Sequence, residues 1–184
     1  MKRIILAILI IGSMLSVSGQ ELKKPSKGKA LVYIMRSNNL AAGLNFRVYD
    51  GDIFLGALPS KAYFTYECDP GEHLFWAASE NRDYVEANLE ADKTYVIDLR
   101  AKFGLVIAAV GVEPYSPKNK THIKRIKKVL RKHVNAVVFD KERTAEKEEN
   151  IKKALKAYEK IKDNTHSKIK KLSSDMSFTQ DDLK

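Results

Sequence analysis

Between residues 30 and 112, short apolar segments alternate with turn signals about every 8–12 residues, and this rhythm limits the fold more than any other feature. Around Phe46, apolar and polar side chains alternate with the period of two that is typical of a half-buried strand. Asp50-Gly51 is a strong hairpin signal, and Asp69-Pro70-Gly71 suits a type II turn. We therefore predict a mainly β domain over residues 29–113, an antiparallel β-sandwich of about eight strands or a small barrel.

After Pro114 the apolar period changes to that of a helix. One stripe covers residues 119–134 and consists of Ile123, Ile126, Val129, Leu130 and Val134. A second helix is predicted from the capping residue Thr144 to about Leu172, with a stripe of Ile151, Leu155, Tyr158, Ile161 and, more weakly, Ile169 and Leu172. The polar residues 173–184 are predicted to fray. Residues 114–184 are thus predicted to form a two-helix basic C-terminal extension, and the two stripes suit an antiparallel helical hairpin.

The positive charge of the chain belongs to this extension. Residues 20–113 carry 11 Lys+Arg against 13 Asp+Glu, whereas residues 114–184 carry 20 against 10. We predict a candidate docking face on the first helix, made of Lys120, Lys124, Arg125, Lys127, Lys128, Arg131 and Lys132.

This charge distribution points to an acidic partner. A basic helix with an aliphatic stripe suits an anionic membrane surface, and an envelope protein with an acidic surface is the other candidate. Alternatively, the stripes pack on each other, on the sandwich or on a partner, or join copies of the chain into an oligomer, and leave the lysines in solvent. Nucleic acid is disfavoured because the basic segment has almost no interleaved aromatic residues and because the chain is predicted to be exported.

The amino terminus has the pattern of a secretory signal peptide. Lys2 and Arg3 precede an apolar run from Ile4 to Val17, and small residues follow it. We predict a signal peptide over residues 1–19, cleaved after Ser18 or Gly19, and a linker over residues 20–28. The run is shorter than the ~20 residues of a membrane-spanning helix, although an uncleaved anchor is the alternative. With no cysteine near the cleavage site, the chain is predicted to be exported to the periplasm or cell envelope without lipoprotein processing.

Motifs of known chemistry are missing from the sequence. It has no P-loop, G-x-G-x-x-G, G-x-S-x-G or H-E-x-x-H pattern. Glu72 and His73 are strand neighbours that point to opposite faces, so His73 is interpreted as an edge residue beside a solvated turn. Cys68 is interpreted as a buried thiol. We predict no catalytic residue, metal or cofactor; the alternative is a small-ligand carrier or enzyme with a cavity near Glu67, Asp69 or His73.

Several short motifs follow one another in a known order. They are a Tyr- and Arg-bearing opening strand at residues 31–36, a V-Y-D-G hairpin at 48–51, a P-G-x-H turn at 70–73 and an A-x-K-T-Y strand entry at 91–95. Over residues 29–113 the chain resembles a bacterial envelope family known as a domain of unknown function, itself similar to PEGA domains. Asp92 stands where that family usually has glycine. The resemblance implies an exported β-sandwich with no catalytic residues, and it does not cover the C-terminal extension.

Overall fold

The structure, a computed structural model, describes residues 22–103, 108–131, 147–164 and 169–184. The predicted signal peptide over residues 1–19, the docking-face residue Lys132 and the predicted helix start at Thr144 lie outside the described residues. The statements below concern the described residues.

The predicted mainly β class is confirmed, because nine strands account for most of the regular structure. Their bounds are β1 (Ala30–Met35), β2 (Phe46–Asp50), β3 (Ile53–Leu58), β4 (Tyr63–Cys68), β5 (Gly71–Ala78), β6 (Arg82–Leu89), β7 (Thr94–Phe103), β8 (Ala108–Pro114) and β9 (Lys170–Leu172). Two helices follow the eighth strand, α1 (Lys120–Arg131) and α2 (Glu148–Glu159).

The strands form two sheets that pack face to face. The first sheet has the order β4-β1-β7-β8, and the second has the order β3-β2-β5-β6-β9. Neighbouring strands are antiparallel except for β1 with β7 and β6 with β9, which are parallel. The sheets are therefore mixed, which differs from the predicted antiparallel arrangement. Turn signals predict only hairpins, whereas these two pairs join strands that are distant in sequence.

Alternate strand residues fill the space between the sheets. Ile34, Val48, Phe75, Val85 and Ile97 are examples of this core, each at most 2% exposed. Along the strands, every second side chain points into this core, as the alternation of the sequence predicts.

Helix α1 covers the outer face of the first sheet. Its buried residues Ile126, Val129 and Leu130 pack in one cluster with Tyr33 of β1 and Val96 of β7. Both faces of this sheet are thereby buried, which explains why β1 is apolar along its whole length.

Helix α2 covers the outer face of the second sheet. Ile151 and Ala154 pack against Trp76 and Tyr84, and the Tyr84 hydroxyl donates to the carbonyl oxygen of Ala154 at 2.8 Å. The two helices thus lie on opposite sides of the sandwich, and the predicted helical hairpin is wrong. Each stripe packs on a sheet because each sheet has an apolar outer face that needs cover.

The end of the chain differs from the prediction of a long helix and a frayed tail. Helix α2 ends at Glu159, and Lys170–Leu172 adds a strand to the edge of β6. Leu172 enters the core between the sheets. Phe178 is buried in the cluster with α1, and its backbone N–H donates to the carbonyl oxygen of Thr94 at 2.7 Å. The C-terminal residues are therefore part of the packed domain.

This packing predicts that the C-terminal strand contributes to global stability. Replacing Leu172 by alanine should lower the free energy of unfolding by about 2–5 kcal/mol, because it leaves a cavity in the inter-sheet core. Urea unfolding measures this change. Lys171→Ala, on the exposed side of the same strand, is the control and should cost less than about 1 kcal/mol. Equal stabilities of the two variants would contradict the packing of Leu172.

Candidate functional site

The candidate docking face lies along the solvent side of α1. Five of its seven predicted residues line one groove of about 530 Å³ together with Ile123, namely Lys120, Lys124, Lys127, Lys128 and Arg131. Arg125 points elsewhere, and its guanidinium donates to the Tyr115 hydroxyl at 3.4 Å. The α1 basic face, as we call this group of five cations, is therefore a subset of the predicted docking face.

Local sequence explains why α1 presents these cations to solvent. The Asn119 side-chain oxygen accepts the backbone N–H of Thr121 at 2.9 Å, which caps the start of the helix. Lys128 and Arg131 lie in the last turn, where positive charge interacts favourably with the helix dipole. The apolar stripe is buried against the first sheet, so the opposite side of the helix faces water.

Four of the five charges of the α1 basic face are not neutralised within the described part of the chain. Helix α1 contains no acidic residue, and no described carboxylate forms an ion pair with Lys120, Lys124, Lys128 or Arg131. Lys127, the fifth cation, donates to a main-chain carboxyl oxygen of Lys184 at 2.9 Å. By contrast, Lys152 and Lys153 of α2 pair with glutamates of the same helix at 2.6 Å. The α1 basic face is thus a concentrated positive surface available to an external anion.

His73 lies beside the exposed turn over residues 69–71, as interpreted from the sequence, but its side chain is largely buried in a polar cluster. Its Nδ1 lies 2.7 Å from a carboxylate oxygen of Asp50, and its Nε2 lies 2.8 Å from the carbonyl oxygen of Asp69. The Tyr66 hydroxyl donates to the same Asp50 oxygen at 3.1 Å. The hydrogen bond to Asp50, assisted by one to Cys68, raises the pKa of His73 to about 10. Both ring nitrogens are therefore protonated donors at neutral pH, which suits a structural role.

The other polar residues near that turn do not converge with His73. Glu67 accepts the backbone N–H of Ser26 at 2.8 Å, and Asp69 pairs with Lys29 at 2.6 Å on the surface. Glu72 and His73 are adjacent on β5 and alternate in direction by strand geometry, yet both line the same groove at the edge of the second sheet. Cys68 is buried, also as predicted. The structure therefore brings Asp50, and neither Glu67 nor the Asp69 carboxylate, into contact with the His73 ring.

A groove of about 550 Å³ lies on the outer face of the second sheet, beyond the end of α2. Its lining includes Glu72 and His73 of β5, Glu86 and Asn88 of β6, and Lys171 of β9. The Tyr158 hydroxyl donates to a Glu86 carboxylate oxygen at 3.0 Å. Burial and this hydrogen bond raise the pKa of Tyr158 to about 12. Because His73 is one of its lining residues, this groove is the cavity to which the alternative hypothesis of a small-ligand carrier or enzyme applies.

Three further observations restrict the chemistry. Trp76, Phe75 and Tyr66 are buried, so they do not form an aromatic platform for carbohydrate. In the described ranges, no three His, Cys, Asp or Glu side chains are grouped so that they could hold a metal ion. None of the described helices is long and apolar enough to cross a membrane.

Comparison of the chain with protein-family models, with curated proteins and with solved structures finds no match.

Proposed function

We propose that this chain is a non-catalytic, exported envelope protein, a β-sandwich binding module that docks on an anionic surface through the α1 basic face. The family resemblance over residues 29–113 supports the envelope assignment. At Asp92, where that family usually has glycine, the backbone adopts a left-handed φ of 61°, a conformation that glycine favours, so this turn is compatible with glycine.

The observation that carries the proposal is a groove lined by five cations, four of which have no carboxylate partner among the described residues. The aliphatic stripe of α1 is buried in the domain, so this helix has no apolar face left to insert into a bilayer. Docking is therefore peripheral and electrostatic, with anionic phospholipid head groups as the expected surface. Such binding weakens as salt screens the charges.

Vesicle co-sedimentation tests this proposal. The mature protein should bind vesicles that contain phosphatidylglycerol at low salt, should not bind vesicles of phosphatidylcholine, and should dissociate at high salt. Lys124→Glu with Lys128→Glu should weaken binding about 30-fold or more, because each cation near an anionic surface contributes about 1 kcal/mol.

The control makes the same charge change on the other side of the domain. Lys156→Glu with Lys160→Glu alters two exposed lysines at the end of α2. If both double variants lose binding equally, net charge rather than the α1 basic face determines binding and the proposed docking site is wrong. Absence of wild-type binding to anionic vesicles at low salt would exclude the lipid surface.

A further inference from the structure

A small cavity of about 50 Å³ lies at one end of the second sheet, beneath the first turn of α2. Strand β2 contributes Arg47 and Tyr49, β5 contributes Trp76, and β6 begins at Arg82 beside it. Asn150 of α2 and the turn over residues 79–81 complete the lining. This cavity lies across the sandwich from the α1 basic face, so a ligand bound in it would not depend on the proposed docking.

The Tyr49 hydroxyl is the unusual feature of this cavity. Tyr49 is 0% exposed, and its ring stacks on Trp76 with centroids 3.8 Å apart and planes 4° apart. Its buried hydroxyl oxygen has no hydrogen-bond partner among the residues that the structure describes. Buried hydroxyl groups in folded proteins nearly always have a partner, so this donor indicates a ligand atom beside it.

Two arginines bring positive charge to the same cavity. No described carboxylate forms an ion pair with Arg47 or Arg82, and Arg47 makes one long contact of 3.4 Å with the carbonyl oxygen of Ser79. Glu80 also lines the cavity but does not pair with either guanidinium. Burial raises the pKa of Tyr49, while the charges of Arg47 and Arg82 act in the opposite direction, in keeping with their closeness to the hydroxyl.

We propose that this cavity is a binding site for a phosphate group, held by Arg47, Arg82 and the Tyr49 hydroxyl. A guanidinium group has planar N–H donors whose spacing matches the oxygens of phosphate. The two guanidinium groups and the Tyr49 hydroxyl can therefore donate to a phosphate from several directions. The amide of Asn150 adds a further donor from α2. The volume suits a group of a few non-hydrogen atoms and excludes a nucleoside or a sugar ring. The phosphate is either the free ion or the end group of a larger molecule.

The fluorescence of Trp76 provides a direct test. Trp76 is the sole tryptophan of the sequence, and it lines the cavity. Titration of the folded protein with inorganic phosphate, at constant ionic strength maintained with chloride, should change its emission in a saturable way. Tyr49→Phe removes only the hydroxyl and should weaken phosphate affinity about tenfold; Arg82→Ala, at an exposed position, should weaken it at least as much.

Controls separate this site from the rest of the protein. Arg100→Ala on the first sheet and the Lys124→Glu, Lys128→Glu double variant should bind phosphate like the wild type. Glycerol 3-phosphate shows whether the bound phosphate is a free ion or part of a larger molecule. Tighter binding than that of inorganic phosphate would indicate a phosphorylated headgroup, and weaker binding would indicate the free ion. The absence of a saturable change with either compound, or a change that persists in both Tyr49→Phe and Arg82→Ala, would overturn the proposal.

Discussion

Replacing His73 by alanine is expected to lower the free energy of unfolding by about 3–5 kcal/mol at neutral pH, because it leaves the Asp50 carboxylate buried without its cationic partner. The His73 side chain is 14% exposed and that of Asp50 is 8% exposed, so water can replace the lost partner only poorly. Chemical denaturation of the wild type and the variant measures the difference. Asp69→Asn, at an exposed position of the adjacent turn, should cost less than about 1 kcal/mol.

The same pair predicts how stability depends on pH. The pKa of His73 is raised from 6.5 in the unfolded chain to about 10 in the folded protein, so the folded state binds the extra proton between these values. Its stabilising contribution is complete below pH 6.5 and is lost as pH rises through 10, a change of at most about 5 kcal/mol. His122 cannot produce this trend, because burial lowers its pKa. Its contribution to stability therefore changes below pH 6.5 and not above it.

Titration of the imidazole by NMR separates this mechanism from a general alkaline effect. In Asp50→Asn the pKa of His73 should fall back toward 6.5, and the loss of stability above neutral pH should largely disappear. A wild-type His73 that titrates near 6.5, or an unchanged pH profile in Asp50→Asn, would show that the pair does not provide this stability.

The second large effect is expected at Arg36, a fully buried cation that holds the loop between β1 and β2. Its guanidinium donates to the carbonyl oxygens of Leu40 at 2.6 Å, Ala41 at 2.7 Å and Leu44, and lies 4.0 Å from the centre of the Phe46 ring. Arg36→Ala removes these hydrogen bonds and opens a cavity, so the free energy of unfolding should fall by about 3–5 kcal/mol. Arg36→Lys should recover little of the lost stability, since an ammonium group lacks the planar set of N–H donors that lets one guanidinium bind three carbonyl oxygens.

Unfolding free energies and limited proteolysis of residues 37–45 test this role of Arg36. Asn39→Ala is the control in the same loop, because its side chain makes one exposed hydrogen bond, with Ser60. Arg36→Ala should be cleaved faster within the loop, and Asn39→Ala should not. Stability of Arg36→Ala within about 1 kcal/mol of the wild type would mean that the loop is held by other contacts.

The sequence predicted those parts of the fold that depend on local periodicity. Alternation around Phe46 and the Asp50-Gly51 signal correctly predicted β2, its hairpin and its inner face, and the stripe of Ile126, Val129 and Leu130 correctly predicted the buried side of α1. The same periodicity misassigned Ile169 and Leu172. Their spacing of three fits a helix, but the open edge of β6 pairs with this segment, and tertiary pairing overrides so short a local pattern.

The polar cluster illustrates what could not be predicted. Alternation places Asp50 on the inner face with Val48, and it places His73 on the inner face with Phe75. Their contact requires β2 to pair with β5, strands separated by two others in sequence, with Asp50 opposite Phe75. No turn signal encodes that register. For the candidate docking face, helical spacing predicts that the cations share one side of α1, and five of them line one groove. Sequence spacing does not show that Arg125 contacts Tyr115, because that contact depends on the sheet beneath α1.

The late position of Leu172 has a consequence for the order in which the chain can fold. The edge of β6 ends at Leu89, yet the strand that covers it is synthesised about eighty residues later, a delay on the order of ten seconds at ordinary translation rates. Until then neither the second sheet nor the core beneath it is complete. The order of synthesis therefore makes closure of the domain depend on residues 170–172, about eighty residues beyond the strand edge that they cover.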